Sequence, residues 1–164
     1  MIYCFTTDMR SRELLALTPA DILPNKRIDI NKNFAKVKGV ELFLEPKTAK
    51  AKRCISIPDF LYNNIKSYIS KIYGIQNGDR IFYFTKSTLE KEIKRVSEKV
   101  GLEPIRVHDL RHSHANMLIE MNFDPVQIAD RLGHESIKTT LDTYSHLYPD
   151  KDQKLADALN KFRC

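Results

Sequence analysis

The spacing of apolar residues switches from helical to alternating and back to helical along the chain. Residues 10–18 place Leu14, Leu15 and Leu17 on one face of a short helix that Thr18-Pro19 stops. From 26 to 58 the period becomes two. Arg27-Ile28-Asp29-Ile30 alternates, Val40, Leu42 and Leu44 share a face, and Arg53, Ile55 and Ile57 share another. This predicts three antiparallel strands, with the lysine-loaded segment Pro46-Lys47-Thr48-Ala49-Lys50-Ala51-Lys52 as the hairpin tip between the last two.

After Pro58 the helical period returns. Phe60, Leu61, Ile65, Tyr68, Ile69 and Ile72 mark a helix over 59–72, and Leu89, Ile93, Val96 and Val100 one over 86–100, closed by Gly101. Between them Ile81-Phe82-Tyr83-Phe84 reads as a buried stretch. Helices follow over 108–121, 125–132 and 136–147, and Leu155, Ala158, Leu159 and Phe162 predict a short one over 150–162 with Asp150 as its cap. The expected fold is α+β and mainly helical: a small three-stranded antiparallel sheet near the N-terminus, packed beside a helical bundle. Residues 1–164 read as a single domain, with 150–164 as a C-terminal tail.

Composition narrows the class. At 164 residues with 42% hydrophobic and 29% charged side chains, the chain can bury a core without disulfide or metal staples. No apolar run approaches the roughly 18–20 residues that span a bilayer. The start Met1-Ile2-Tyr3-Cys4-Phe5 has no basic leader, and Cys4, Cys54 and Cys164 are odd in number and scattered, so a reducing cytoplasm is expected. The net charge of +6 is uneven: residues 1–100 hold 19 basic against 11 acidic groups, and 26–53 alone hold nine against three. A solvated face would account for this; so would a surface that follows a phosphate backbone.

The residues able to do chemistry lie in a few short runs. His108 and Arg111 stand three apart on one helical face, and His112 and His114 follow. His108 and His112 have helical metal-pair spacing, but no glutamate follows the first histidine and no third ligand is apparent, so no metal or other cofactor is expected. With Arg10, Lys47, His134 and Tyr144 they form another set. Two arginines, imidazoles, a lysine and a tyrosine are what metal-free chemistry on a phosphodiester requires. Guanidinium groups fork onto the non-bridging oxygens, imidazoles donate hydrogen bonds or move protons, and a phenol set among cations and a base becomes a nucleophile.

The runs HDLRHSHANMLIE (from His108) and LGHESIKTTLDTYSHL (from Leu132) strongly resemble the two main motifs of the tyrosine recombinase, or phage integrase, family, especially integrases of prophages and conjugative transposons. Met9-Arg10-Ser11-Arg12-Glu13-Leu14-Leu15-Ala16-Leu17 resembles the family's first arginine box, and Pro46-Lys47-Thr48 its catalytic-lysine hairpin. Four boxes in order, across nearly the whole chain, are far more specific than any one of them. The resemblance implies the catalytic-domain fold shared with type IB topoisomerases, and DNA cleavage and rejoining through a 3′-phosphotyrosine. Arg10 and Arg111 would clamp the scissile phosphate. His108 and His134 would hydrogen-bond it, with His108 also a candidate to assist proton removal. Lys47 would protonate the departing 5′-oxygen, Tyr144 would attack, and Glu13 would orient charged neighbours. Tyr148 rivals Tyr144, and Lys50 and Lys52 rival Lys47.

Lys50, Lys52, Arg53 and His112 are expected on the DNA backbone, with His112 and His114 alternatively satisfied inside the core. The partners expected are double-stranded DNA and other copies of the chain, as a tetramer on DNA and a monomer without it, the tail packing on its own domain or a neighbour. No membrane or small-molecule partner is expected. The family's N-terminal core-binding and arm-binding domains are absent from these residues, so site recognition is expected to be weak. Two positions depart from the first box, where glycine usually precedes the methionine and the glutamate: here they are Asp8 and Arg12. Asp8 tolerates a positive φ less well than glycine and brings a carboxylate near Arg10, where it is expected to compete with DNA. Two other readings stand beside the enzyme: a relic that binds DNA without cleaving it, and a helix-turn-helix-like module over 125–147.

Overall fold

A computed structural model of the chain describes residues 7–145, 156, 157, 159 and 160. Among the described residues 11–144, the α-helices and strands follow in the order α1 (Ser11–Leu14), β1 (Ile22–Leu23), β2 (Arg27–Ile30), β3 (Asn33–Val37), β4 (Val40–Leu44), β5 (Arg53–Ser56), α2 (Asp59–Ser70), α3 (Lys86–Lys99), α4 (Val107–Glu120), α5 (Pro125–Leu132) and α6 (Ile137–Tyr144). The α+β architecture is as expected, but the strands are distributed differently. The three-stranded antiparallel sheet has the order β1-β2-β5, with Ile22 opposite Ile28 and Ile28 opposite Ile55.

The strand over 40–44, expected in that sheet, instead forms a separate two-stranded ribbon with β3. The reason lies at Lys38-Gly39. Both residues have positive φ, 48° and 85°, the signature of a two-residue turn that returns the chain onto the strand just made. Asn33–Val37 therefore captures Val40–Leu44 before any later strand can. The lysine segment is consequently not a hairpin tip. It is a crossing from the ribbon to β5, through a 3₁₀ turn at Ala49–Ala51.

Arg80 fastens the ribbon to the body. Its guanidinium stacks 3.8 Å from the centre of the Phe34 ring, pairs with Glu41 at 2.9 Å and donates to the Phe82 carbonyl at 3.0 Å. The main core lies between the three-stranded sheet and the helices: Ile28, Ile30 and Ile55 meet Leu14, Leu61, Ile65, Ile81, Leu89 and Ile93. Val100, expected inward, is exposed because α3 ends at Lys99 and Gly101 turns the chain away with φ 72°. A second cluster joins α4, α5 and α6 through Ala115, Ile119, Ile128, Leu132 and Tyr144.

The three last helices start where short polar side chains or acids satisfy free N–H groups. Asp109 accepts from the Arg106 amide at 2.9 Å, Asp124 from Val126 at 2.7 Å and Ser136 from Lys138 at 3.1 Å. Gly133 ends α5 in the left-handed region (φ 65°, ψ 44°). Of the expected tail helix, Ala156, Asp157, Leu159 and Asn160 are helical; its other residues, and Tyr148, lie outside the described residues. No described helix is long and apolar enough to cross a membrane.

Candidate active site

The fold holds an open cleft of about 680 Å³, and five of the six candidate catalytic side chains line it: Arg10, Lys47, His108, Arg111 and His134. They come from four places in the fold. Arg10 is the N-cap of α1, Lys47 lies on the ribbon-to-β5 crossing, His108 and Arg111 are on the first turns of α4, and His134 follows the glycine that ends α5.

Glu13 organises the near wall. It accepts from the Arg10 amide at 2.8 Å and from Arg10 Nη1 at 2.9 Å, which fixes Arg10 over α1. On its other side it takes two bonds from Arg53, at 3.2 Å and 3.0 Å. Burial favours the neutral acid, but the hydrogen bonds and charge of Arg53, with those of Arg10, outweigh it and hold the Glu13 carboxyl below the usual range. Arg53, expected on DNA, is therefore turned inward. Its side chain is 7% exposed, and its Nε donates to the Arg131 carbonyl at 2.8 Å. Lys50 and Lys52, expected beside it on DNA, are exposed; Lys52 pairs with Glu45 at 3.4 Å.

Removing Arg53 would leave a buried carboxylate with Arg10 as its remaining partner. Arg53→Met is expected to cost about 3–5 kcal/mol of folding stability, the usual penalty for breaking a buried ion pair from one side. Urea unfolding reads this directly. A loss below ~1 kcal/mol, the range of exposed pairs, would mean that Arg10 alone compensates Glu13.

Arg111 is 4% exposed, and its two terminal nitrogens donate to the backbone carbonyls of Asp8 and Leu132. Burial, then the charges of Arg10 and Arg53, push its pKa down to about 10, so the guanidinium is still charged at neutral pH. His134 is shifted further. Burial, helped by Arg111, Arg10 and Arg53, lowers it to about 4, and Thr140 Oγ1 lies 2.8 Å from its Nδ1. The imidazole is neutral at pH 7; with Thr140 donating to Nδ1, the Nε2–H is left as a donor. His108 is lowered as well, first by burial and then by His112 and Arg111.

Tyr144 is not among the residues lining the cleft. It is 4% exposed in the second core, and its hydroxyl lies 2.7 Å from His112 Nδ1. Burial raises the phenol pKa against the opposing pull of Arg111. His112, expected on DNA or as a satisfied core residue, thus holds the candidate nucleophile, and its ring meets His108 edge-on at 4.7 Å.

Asp8 does not pair with Arg10. Its backbone takes the positive φ that glycine would take (58°), and its fully buried carboxylate turns to Arg131 and His114, each at 3.0 Å. Arg12 is exposed at the cleft wall and fits without displacing the buried Glu13. A side chain at Gly133 would be crowded as well as strained by the positive φ: a Cβ there would lie 3.0 Å from Arg53 Cδ and Nη1 and 3.1 Å from the Lys50 carbonyl, so these neighbours would have to give by a few tenths of an ångström. Sequence reasoning did not find Arg131 or Thr140. Arg131 immediately precedes the LGHES run and Thr140 follows it on α6, but only the folded chain brings Arg131 to Asp8.

Comparison with known proteins agrees with this architecture. Residues 1–151 match the phage integrase family. The chain is 34% identical over 172 residues to the ICEBs1 integrase of Bacillus subtilis, covering 95% of this chain and 46% of that protein. It is 33% identical over 173 residues to the integrase of Staphylococcus phage L54a, covering 94% and 49%. It spans about half the length of these relatives. The Tn1549 transposon integrase, solved in complex with circular intermediate DNA, superposes with a TM-score of 0.81 at 22% identity, over 96% of this chain and 58% of that one. The catalytic domain of bacteriophage HP1 integrase superposes with a TM-score of 0.64 at 21% identity, over 99% and 79%. The motif order that the sequence carries, and the cleft into which the fold gathers those motifs, belong together: this chain is a member of the phage integrase family, the tyrosine recombinases.

Proposed function

We propose that the chain cleaves and rejoins DNA strands through a 3′-phosphotyrosine, as the catalytic domain of a site-specific recombinase of a mobile element. The observation that carries this reading is the convergence of Arg10, Lys47, His108, Arg111 and His134 on one open cleft. Arg10 and Arg111 take the non-bridging oxygens of the scissile phosphate, where charge grows as phosphorus becomes pentacoordinate. Neutral His134 and His108 donate hydrogen bonds to the same group. For the reaction Tyr144 leaves its packed place in the second core, its Oη forms the bond to phosphorus, and its proton passes to His112, which holds the phenol beforehand. The bond to the 5′-oxygen breaks, and Lys47 supplies the proton that oxygen needs. Reversal with another strand's 5′-hydroxyl rejoins the backbone, the phosphotyrosine conserving the bond energy.

Glu13 and Arg53 act behind Arg10 as positioning residues. The substrate is double-stranded DNA in the cytoplasm, held by a tetramer of copies that are monomeric without it. Lys50 and Lys52 contact the backbone, which places the duplex without reading its sequence. Asp8 turns away from Arg10, so the carboxylate that would have favoured a non-cleaving relic does not compete for the phosphate.

A nicked duplex tests the reading, because loss of the short strand after cleavage traps the covalent adduct, which a denaturing gel displays. Adduct formation by the wild-type chain is expected, and DNA binding without any adduct would overturn the proposal. Lys47→Met is expected to slow adduct formation by about 10²–10⁴-fold, the usual worth of a general acid. Replacing the leaving oxygen by sulfur should restore that variant, since a thiolate departs without a proton. A variant slow on both substrates would remove Lys47 from the role of acid.

A further inference from the structure

The carboxylate of Asp8 is the most deeply enclosed charge near the cleft, yet it touches none of the cleft's phosphate-facing groups. It is held in a backbone conformation that side chains seldom adopt, with φ 58°. Its Oδ2 lies 3.0 Å from Arg131 Nε and 3.0 Å from His114 Nε2. These contacts close a ring around Arg111. One terminal nitrogen of Arg111 donates to the Asp8 carbonyl and the other to the Leu132 carbonyl. Arg131 is the residue next to Leu132, and His114 is three residues beyond Arg111 on α4. The same carboxylate therefore ties together the segment before α1, the end of α5 and the helix that carries Arg111. Arg131 extends the tie to the sheet, since its Nη1 donates to the Ser56 carbonyl at 3.2 Å.

Two carbonyls can orient a guanidinium only if their separation is fixed, because its donors form a rigid fork. The Asp8–Arg131 ion pair links the two segments that carry these carbonyls. We propose that Asp8 is a positioning residue for Arg111, its buried carboxylate setting, through Arg131 and His114, the spacing of the two carbonyls that aim the guanidinium into the cleft. This rests on the reading of Arg111 as a phosphate clamp.

Asp8→Asn keeps the shape and removes the charge; Arg131→Gln breaks the same tie from its less buried end. Each is expected to slow single-turnover adduct formation at saturating nicked duplex by about 10²-fold, the cost of a misplacement near 1 Å. The apparent Kd for the duplex should stay unchanged. The double variant should be no slower than either single one, because both remove one interaction. Side-chain ¹⁵N signals of Arg111 give a readout that needs no DNA: resolved Nη–H resonances in the wild type, exchange-broadened in both variants. A residue that only stabilises the fold would lower the melting temperature and leave the rate and these signals as they are, and that result overturns the proposal. If the wild-type chain forms no adduct at all, the catalytic reading fails. The Arg111 signals then decide the positioning claim alone: broadening in both variants supports it, and unchanged signals overturn it.

Discussion

Tyr144→Phe is expected to abolish covalent adduct formation while leaving DNA affinity and its salt dependence at the wild-type level. The phenylalanine ring keeps the packing against Ala115, Ile119, Ile128 and Leu132, so the second core stays filled. The hydroxyl and its bond to His112 Nδ1 are lost, a stability change of about 1 kcal/mol. Nothing else in the cleft changes, because Tyr144 does not line it. The arginines and lysines that meet the backbone are intact, so the log–log slope of affinity against salt, about −0.9 for each phosphate neutralised, should not move. A denaturing gel and a binding titration at several salt concentrations check both halves. An adduct that survives in Tyr144→Phe and disappears in Tyr148→Phe would transfer the nucleophile's role to the second tyrosine.

Arg111→Lys is expected to be nearly as damaging as Arg111→Gln, despite keeping the charge. A lysine ammonium is a point donor on a flexible stem and cannot span the Asp8 and Leu132 carbonyls while presenting further donors to a phosphate. Loss of one preorganised donor to an oxyanion typically costs about 10²–10³-fold in rate. Arg111→Lys should fall by at least that much in single-turnover cleavage at saturating DNA. Both variants should also be less stable, since a buried carbonyl left without its donor costs about 1–3 kcal/mol. If Arg111→Lys cleaves at the wild-type rate, charge alone suffices at this position and the fork geometry is irrelevant to the reaction.

Much of this site was legible before folding because its parts sit in short, ordered runs. Arg10 with Glu13 and His108 with Arg111 are three apart on a helix, so each pair is joined by local geometry. What was not legible depends on contacts between distant segments. Arg53 lies in a basic stretch and reads as a DNA contact; only its approach to Glu13, 40 residues away in sequence, turns it inward. His112 reads as a surface or core histidine until α6 brings Tyr144 to it across 32 residues. The strand pairing differs from the expected one for a local reason: the alternation over Asn33–Val37 is weak, and the positive φ of Lys38 and Gly39 that folds Val40–Leu44 back onto it shows only in the structure. The sequence sets Asp8 beside Arg10, where its carboxylate is expected to compete with DNA; the fold gives it a positive φ and turns the carboxylate to Arg131, which nothing in the linear order brings near it.

The missing side chain at Gly133 bears on how much substitution the rim of the cleft tolerates. Asp8 shows that this chain accommodates a side chain at a positive φ when the carboxylate finds partners. Gly133 has the same backbone sign, but its neighbours are the Arg53 side chain and the Lys50 carbonyl, and a Cβ would press on the residue that holds Glu13 and on the lysine crossing. A side chain is seated among partners at the first position and crowded at the second. The segment before Arg10 therefore accepts bulk that the turn before His134 takes only if Arg53 and the Lys50 carbonyl give way.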